Sequence, residues 1–561
     1  MLERVLIAAR GDGDAVRRRV DQLARWYGLR AEVRAVAGGT VTVASLGGPL
    51  HAAAFGEAPP ATLDVLGADE RALRRYEGGG AALAATADRA RIVAGAGAPA
   101  SLYAAASGGV SAWATHAVAA AYAASGSAPV EASALPEQLA AGFVGGARSL
   151  VAGVRALSAA SFVDFSATRA DEGCYWPARD RWRLVPEEDA YAYTEHHLLR
   201  SLEARLAGVD RALAGLTAGA GSRAAALALR ELGVAFDGFT IGAPDDEDVE
   251  DGAEAARALA VSHRRLAVED LDGAAALARV RAAARFTEGA VHVGFAGIPW
   301  PDDASAFVTG AGGEAGRCFY YRHLIGAGAA RGDGAASPLA DVAGGDRRPA
   351  APPADLGAVV FERLANRIAG AEPESLAGLE MRVREWVARA EELGVAGWRV
   401  LDVVCAEQRV RRRLHGLLPP VAAPAVGALT APEVQRGLVS LPLGERVSDG
   451  FARRFVADRM PGLVPASARR PVAGRRPLSR IARRAAGGGP LAVPWTAAPE
   501  FREWVADAVL GGPLATEAMG ERWCRRTRSR FYAGDATATD RALWLAGPVA
   551  LQEAVATLPR G

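Results

Sequence analysis

The chain reads as α/β, with an N-terminal α+β region followed by a parallel-sheet domain whose C-terminal half is helical. Three observations predict this. From Gly215 to Gly242 the sequence runs through a small-residue loop, an Ala/Leu-rich helical pattern and a short apolar strand, the unit with which open α/β sheets hold phosphate. A second apolar segment, Ala306-Phe307-Val308, ends in another small-residue loop, Thr309-Gly310-Ala311-Gly312-Gly313-Glu314. Before residue 165, short apolar strands alternate with Ala-rich helical stretches. The 561 residues leave room for roughly two to four domains, and boundaries are expected at 1–165, 190–465 and 466–561.

In chain order, Val5-Leu6-Ile7-Ala8, Val41-Thr42-Val43-Ala44 and Arg91-Ile92-Val93-Ala94 are the expected strands of the first region. No charged residue occurs from Ile92 to Val130. That stretch is broken by Gly and Pro and carries Ser, Thr and His116, so a buried helix and strand region is expected and not a membrane span. A helix from Thr194 to Leu206 leads into the first glycine loop, and strands then alternate with helices to about residue 320. This alternation predicts a parallel sheet with ligands at the carboxyl ends of its strands.

Residues 326–355 are rich in Gly, Ala, Pro and Asp without periodicity, as in a solvent-exposed insertion or a lid. Helical patterns resume over 356–416 and 431–460. Arg469, Arg470, Arg475, Arg476, Arg480, Arg483 and Arg484 then form a basic stretch without interleaved aromatics, which reads as a solvated linker. Residues 491–561 read as a helical tail in which Trp495, Phe501, Trp504 and Leu510 recur at helical spacing and face a core.

Composition narrows the function. A formal net charge of +1 gives no electrostatic case for nucleic acid or a membrane surface as principal partner. All 65 basic residues are arginine, so no ammonium group is available as catalytic base, Schiff-base nucleophile or phosphate ligand. Cys174, Cys318, Cys405 and Cys524 are far apart and form no C-x-x-C pair, and Met1-Leu2-Glu3-Arg4 does not open a signal-peptide pattern. A reducing, cytoplasmic setting is expected.

The first loop, Gly215-Leu-Thr-Ala-Gly-Ala-Gly-Ser-Arg223, suits an anion because small residues let backbone N–H groups approach it, and Ser222 adds a hydroxyl. Gly-Lys-Ser/Thr is absent, which excludes the Walker phosphate loop. Gly219, Gly221 and Ala224 fit G-x-G-x-x-A, and Asp245 follows Gly221 by 24 residues, so an NAD-binding oxidoreductase is one alternative.

The order of the motifs resembles the synthetase domain of the asparagine synthetase family. The family's S-G-G-x-D-S loop corresponds to Thr217-Ala218-Gly219-Ala220-Gly221-Ser222, and its next strand to Gly238-Phe239-Thr240-Ile241-Gly242, followed by Asp248. His263 matches the histidine of L-G-T-x-H, and Thr309-Gly310-Ala311-Gly312-Gly313-Glu314-Ala315 matches S-G-E-G-x-D-E. Asp402 to Arg409 and Leu441-Pro442 are similar to the helical half, so that the resemblance covers about 190–465. Residues 1–165 resemble a degenerate version of the family's glutaminase domain, an N-terminal-nucleophile fold, with Ser101-Leu102-Tyr103 at its L-Y-Y signature.

The resemblance implies ATP and Mg²⁺ as cofactors. ATP would activate a small-molecule or peptide carboxylate as an acyl-adenylate with release of pyrophosphate, and an amine donor would displace AMP to give an amide. Gly215 and Ile241 would line the adenosine, with Leu216 and Gly242 beside them. Thr217, Gly219 and Ser222 would hold the pyrophosphate, Thr309 and Gly310 would touch the nucleotide, and Glu314 would bind the metal. The chain departs from the family at Leu2, where glutaminase activity needs a cysteine, and at Gly221, where the loop has a metal-binding Asp. It departs again at Ala311, where asparagine-forming members carry a base, and in having no lysine. Related β-lactam synthetases and lasso-peptide cyclases dispense with the cysteine and use another base. The expected activity is therefore an amide-forming ligase without glutaminase activity, or else an inactive nucleotide- or partner-binding member.

Among the remaining residues, Glu407 is a candidate base if it faces the cleft, or a surface partner of Arg411 at i+4. His196 and His197 point to different helix faces and are poor joint metal ligands. His263 serves either a structural hydrogen bond or the nucleotide. The acidic run from Asp245 to Asp251 reads as a solvated helix start, and Cys318 has no feature of a reactive thiolate.

Overall fold

The computed structural model describes the chain apart from residues 1–4, 48–53, 56–63, 75–77, 98–101, 245, 268–270, 291–295, 297, 302, 330–351, 418–424, 464–493 and 560–561. The arginine-rich stretch, Asp245 and most of the 326–355 segment therefore lie outside the described residues.

The first part folds into two antiparallel sheets. Strands β1 (Val5–Arg10), β2 (Ala31–Val36), β3 (Val41–Leu46), β7 (Tyr103–Ser107), β8 (Val110–Ala114) and β9 (Val154–Ala156) form one, in the order β2-β3-β1-β8-β7-β9. Strands β4 (Ala54–Phe55), β5 (Ala81–Ala85), β6 (Ala90–Ala94), β10 (Ser161–Phe165) and β11 (Ala170–Cys174) form the other, in the order β11-β10-β6-β5-β4. Alternation along a strand decides which core each side chain joins. Leu6 and Ala8 pack with Val41, Val43, Leu83, Ile92, Val163 and Phe165 between the sheets, where Trp113 meets Phe165 edge-on at 5.2 Å. Val5, Ile7 and Ala9 face the other way, into a second core with the helices Gly13–Tyr27 and Ala117–Ser125. The uncharged stretch 92–130 thus contributes inner strands and a helix buried from Ala117 to Ala124, as expected. Among the described residues, no helix is long and apolar enough to cross a membrane.

The second sheet system is parallel throughout: β12 (Ala212–Gly215), β13 (Phe236–Ile241), β14 (His263–Leu266), β15 (Ala306–Thr309) and β16 (Ala425–Gly427), in the order β14-β13-β12-β15-β16. The chain winds one way from β12 and then the other, so the loops after β12 and β15 part at the strand ends, the position at which such sheets bind ligands. Leu198 and Leu202 of the helix Glu187–Arg205, Ala224–Leu229 and Phe455 cover one face of this sheet. On the other face Leu213, Phe239, Leu266 and Phe307 form a cluster closed by Trp300.

The remaining chain is helical. The helices Leu356–Ala365, Pro373–Glu391 and Arg399–Leu417 pack with the later helices Glu521–Tyr532 and Ala536–Val555 into the same core as the outer face of the first sheet. Trp26 donates its indole N–H to Ala554 O at 2.9 Å, and Tyr122 its hydroxyl to Pro559 O at 2.6 Å. Phe501 and Leu510 are buried and Trp504 is partly buried, in agreement with their spacing, while the side chain of Trp495 lies outside the described residues.

Candidate functional site

The loop after β12 is held by its own side chains. Thr217 Oγ1 and Ser222 Oγ lie 3.0 Å apart, Ser222 donates to Gly219 O at 2.8 Å, and Gly219 N donates to Thr217 Oγ1 at 3.1 Å. Asp248, the one acid singled out in its run, accepts from Ala218 N at 3.2 Å and ties the loop to the next helix. Arg223, 1 % exposed, donates to Thr217 O, Leu463 O and Asp251 O and anchors the loop from below. The helix Ala220–Glu231 begins at Gly219 with no side-chain cap, so its first-turn N–H groups are left to a ligand or water.

Gly215 and Ile241 end adjacent strands, Leu216 is buried against Gly238, and Gly242 N donates to Leu266 O. The structure therefore brings the residues expected at the nucleotide together at one sheet end. Thr309 and Gly310 join them from β15, with Gly310 against the backbone of Gly221 and Ser222, where a Cβ would lie 2.3 Å from Gly221 C. Glycine is required there because two backbones touch. Gly312, at φ 102°, packs against Leu429, and Gln435 Nε2 donates to Gly312 O at 2.7 Å.

The group beside Gly221 is a guanidinium. A Cβ at Gly221 would lie 3.1 Å from Gly310 O and 3.2 Å from Arg317 Nη2, and one at Gly313 would lie 3.1 Å from the same nitrogen. Arg317 is held from behind by Asp449, whose Oδ1 is 3.1 Å from its Nε. Glu314 turns Oε2 back to its own loop, accepting from Gly312 N at 3.2 Å. Magnesium requires several hard oxygens in near-octahedral array. Among the described residues no group of three or more His, Cys, Asp or Glu could hold a metal ion, and the charge beside Gly221 is positive. Magnesium on a nucleotide takes one or two protein carboxylates and draws its other oxygens from phosphate and water, so Glu314 remains the one carboxylate ligand that the resemblance implies, beside a guanidinium at Gly221.

Glu407 lies on a π-helical segment, Cys405–Val410, that packs against the turn Gly313–Arg317 of the second loop, and it lines a small pocket with Gln435 and Thr430. Its Oε1 is 2.8 Å from Arg181 Nη2 and accepts from Trp182 Nε1 at 2.6 Å. Burial pushes its pKa up, but Arg181 and Arg411 outweigh burial and hold it at about 2. A carboxylate so stabilised is a poor proton acceptor near neutral pH. Neither the free base nor the simple i+4 surface pair describes it: Arg411 contributes, but Arg181, distant in sequence, is the direct partner.

His263 Nε2 lies 2.9 Å from Thr240 Oγ1, and Thr240 donates to Leu216 O, so the histidine braces the strand that carries the loop. Burial lowers the pKa of His197 to about 4, with His196 adding to the effect. Cys318 is buried and its thiol is pushed up to about 12, chiefly by burial. Arg317 and Arg223 were not foreseen from the sequence. Loop chemistry shows that Asp is absent at 221 but not which distant residue fills the gap, since Arg317 lies on the far side of β15.

No protein-family model and no curated protein matches the chain.

Proposed function

We propose that the loops after β12 and β15 bind the polyphosphate of an adenine nucleotide, ATP in the first place, with Arg317 supplying the positive charge that a metal ion would otherwise supply. In this reading the chain is a nucleotide-binding protein of asparagine-synthetase type that has given up ligation. The observation that carries it is Arg317 Nη2 beside Gly221, at the point where the two glycine loops meet. Uncapped N–H groups, the hydroxyls of Thr217 and Ser222 and a fixed guanidinium together make an anion site. The test is ATP titration by calorimetry in EDTA and in Mg²⁺. ATP is expected to bind in EDTA, and Arg317→Ala to weaken it about tenfold or more, as loss of a charge-assisted hydrogen bond does. Binding only in the presence of Mg²⁺, or tight NAD binding without ATP binding, overturns this reading.

An amide-forming ligase is the second reading, favoured by Glu314, whose carboxylate stands within the second loop. Its substrates would be a small-molecule or peptide carboxylate and an amine donor. Pyrophosphate release that depends on both would establish it.

A further inference from the structure

The six-stranded sheet ends at β2, and the outer edge of that strand is open among the described residues. Gly47 N donates to Arg30 O at 2.8 Å, and the register sets Ala31 against Leu46. In an antiparallel ladder alternate residues bond to the neighbouring strand, so Arg30, Glu32, Arg34 and Val36 turn their backbone groups to β3. Ala31, Val33 and Ala35 turn theirs outward. The adjoining ladders run in the same phase, since Gly11 N donates to Thr40 O and Thr115 N to Leu6 O. Glu32, Arg34 and Ala35 are exposed. Beyond them Ala37 N donates to Ala87 O at 2.8 Å, which ends the open edge at Ala35. The open part is therefore centred on Val33.

Sheet edges are guarded against self-association by shortness, proline, bulges or charge. β2 runs for six residues and pairs with β3 without a proline, a glycine or a bulge. Its only charges are Glu32 and Arg34, of opposite sign, on one face and on either side of Val33. Such a pair guards the edge against many strands but not against a second copy of itself.

A two-fold axis through Val33 sets Ala31 of one copy against Ala35 of the other and Val33 against Val33. Every outward N–H of both strands then meets a carbonyl. The same register sets Glu32 of each copy opposite Arg34 of the other. An axis at residue 32 opposes two glutamates, and an axis at residue 34 opposes two arginines. Charge and backbone phase thus select one register. Glu32 also has an interaction within its own chain, and exposed ion pairs contribute little, so the charges choose the register while the backbone supplies the binding. Ala31 and Val33 pack against the core on the side of the helix Gly13–Tyr27, and a second copy extends that apolar face.

We propose that two copies of this chain associate edge to edge through β2, about a two-fold axis at Val33, into one continuous sheet. The proposal does not depend on nucleotide binding at the loops. It is tested by sedimentation equilibrium of the full chain across the micromolar range, where the natural chain is expected to dimerise. Val33→Pro removes an outward N–H, leaves the bonds to β3 in place and is expected to abolish the dimer. Glu32→Arg and Arg34→Glu each set like charges opposite one another, and each is expected to weaken dimerisation about tenfold. Mixed in equal amounts, these two variants bring opposite charges face to face again, and a heterodimer as tight as the natural dimer is expected. A natural chain that stays monomeric, its edge left to some other protein, overturns the proposal. So does a dimer that Val33→Pro leaves unchanged, or a mixture of the two charge variants that associates no better than either alone.

Discussion

At Gly221 the absence of a side chain leaves room for the guanidinium of Arg317. An aspartate introduced there would place its carboxylate within reach of Arg317, since even its Cβ would lie 3.2 Å from Nη2. Gly221→Asp is therefore expected to form an internal ion pair and weaken ATP binding about tenfold, read by calorimetry; tighter binding with Mg²⁺ would show a metal site restored. The buried pair of Arg446 and Asp402, joined by Tyr321 Oη at 2.7 Å from Asp402 Oδ2, is the other residue-scale commitment. Burial raises Asp402 to about 6 in spite of Arg446. Arg446→Met leaves that carboxyl without its cation and is expected to cost about 3–5 kcal/mol in denaturant unfolding. Local chemistry at Thr217, Gly219 and Ser222 was legible in the sequence because those residues are contiguous. Arg317 and the Arg181–Glu407 pair were not, because only the fold brings their partners together.

Elements were legible where periodicity and turn residues agree. The strand at 306–308, the glycine-bounded helix after Gly219 and the helices beyond residue 356 lie where the pattern puts them. Strand order was not legible, since β12 lies between β13 and β15 through long crossovers that leave no mark on local sequence. Nor was the π-helical segment, because Cys405 to Val410 carries no local signal that one turn holds an extra residue. Gly252, inside the helix Glu247–Leu259, illustrates how an element positions the site. A Cβ there would lie 2.2 Å from Thr240 Oγ1 and 2.8 Å from Leu216 O, the two groups that brace the first loop. Gly252→Ala gains helix propensity of about 1 kcal/mol yet is expected to lose about 1–3 kcal/mol through overpacking. A thermal melt should show net destabilisation, and ATP binding should weaken with it.

At the scale of the whole molecule, one core joins the outer face of the first sheet to the last helices, and buried carboxyl groups lie within it. Glu288 caps the buried helix Ala117–Ser125 by accepting from Val118 N at 2.7 Å, and burial raises its pKa from 4.5 to about 8. Between those values the folded chain keeps a proton that the unfolded chain has released, so this group's contribution to stability falls as pH rises through that window. Glu288→Gln keeps an acceptor without the charge. It is expected to match the natural chain near pH 4.5 and to exceed it by roughly 2–4 kcal/mol near pH 8, measured by urea unfolding at both pH values. The bond from Trp26 to Ala554 spans 528 positions. Translation therefore leaves Trp26, at the end of the N-terminal helix, and Tyr122, on the helix beside it, without these partners until the last helix is made. The sheet that is synthesised first has the packing of its outer face finished last, an order of assembly in which chaperone binding to the nascent chain is expected.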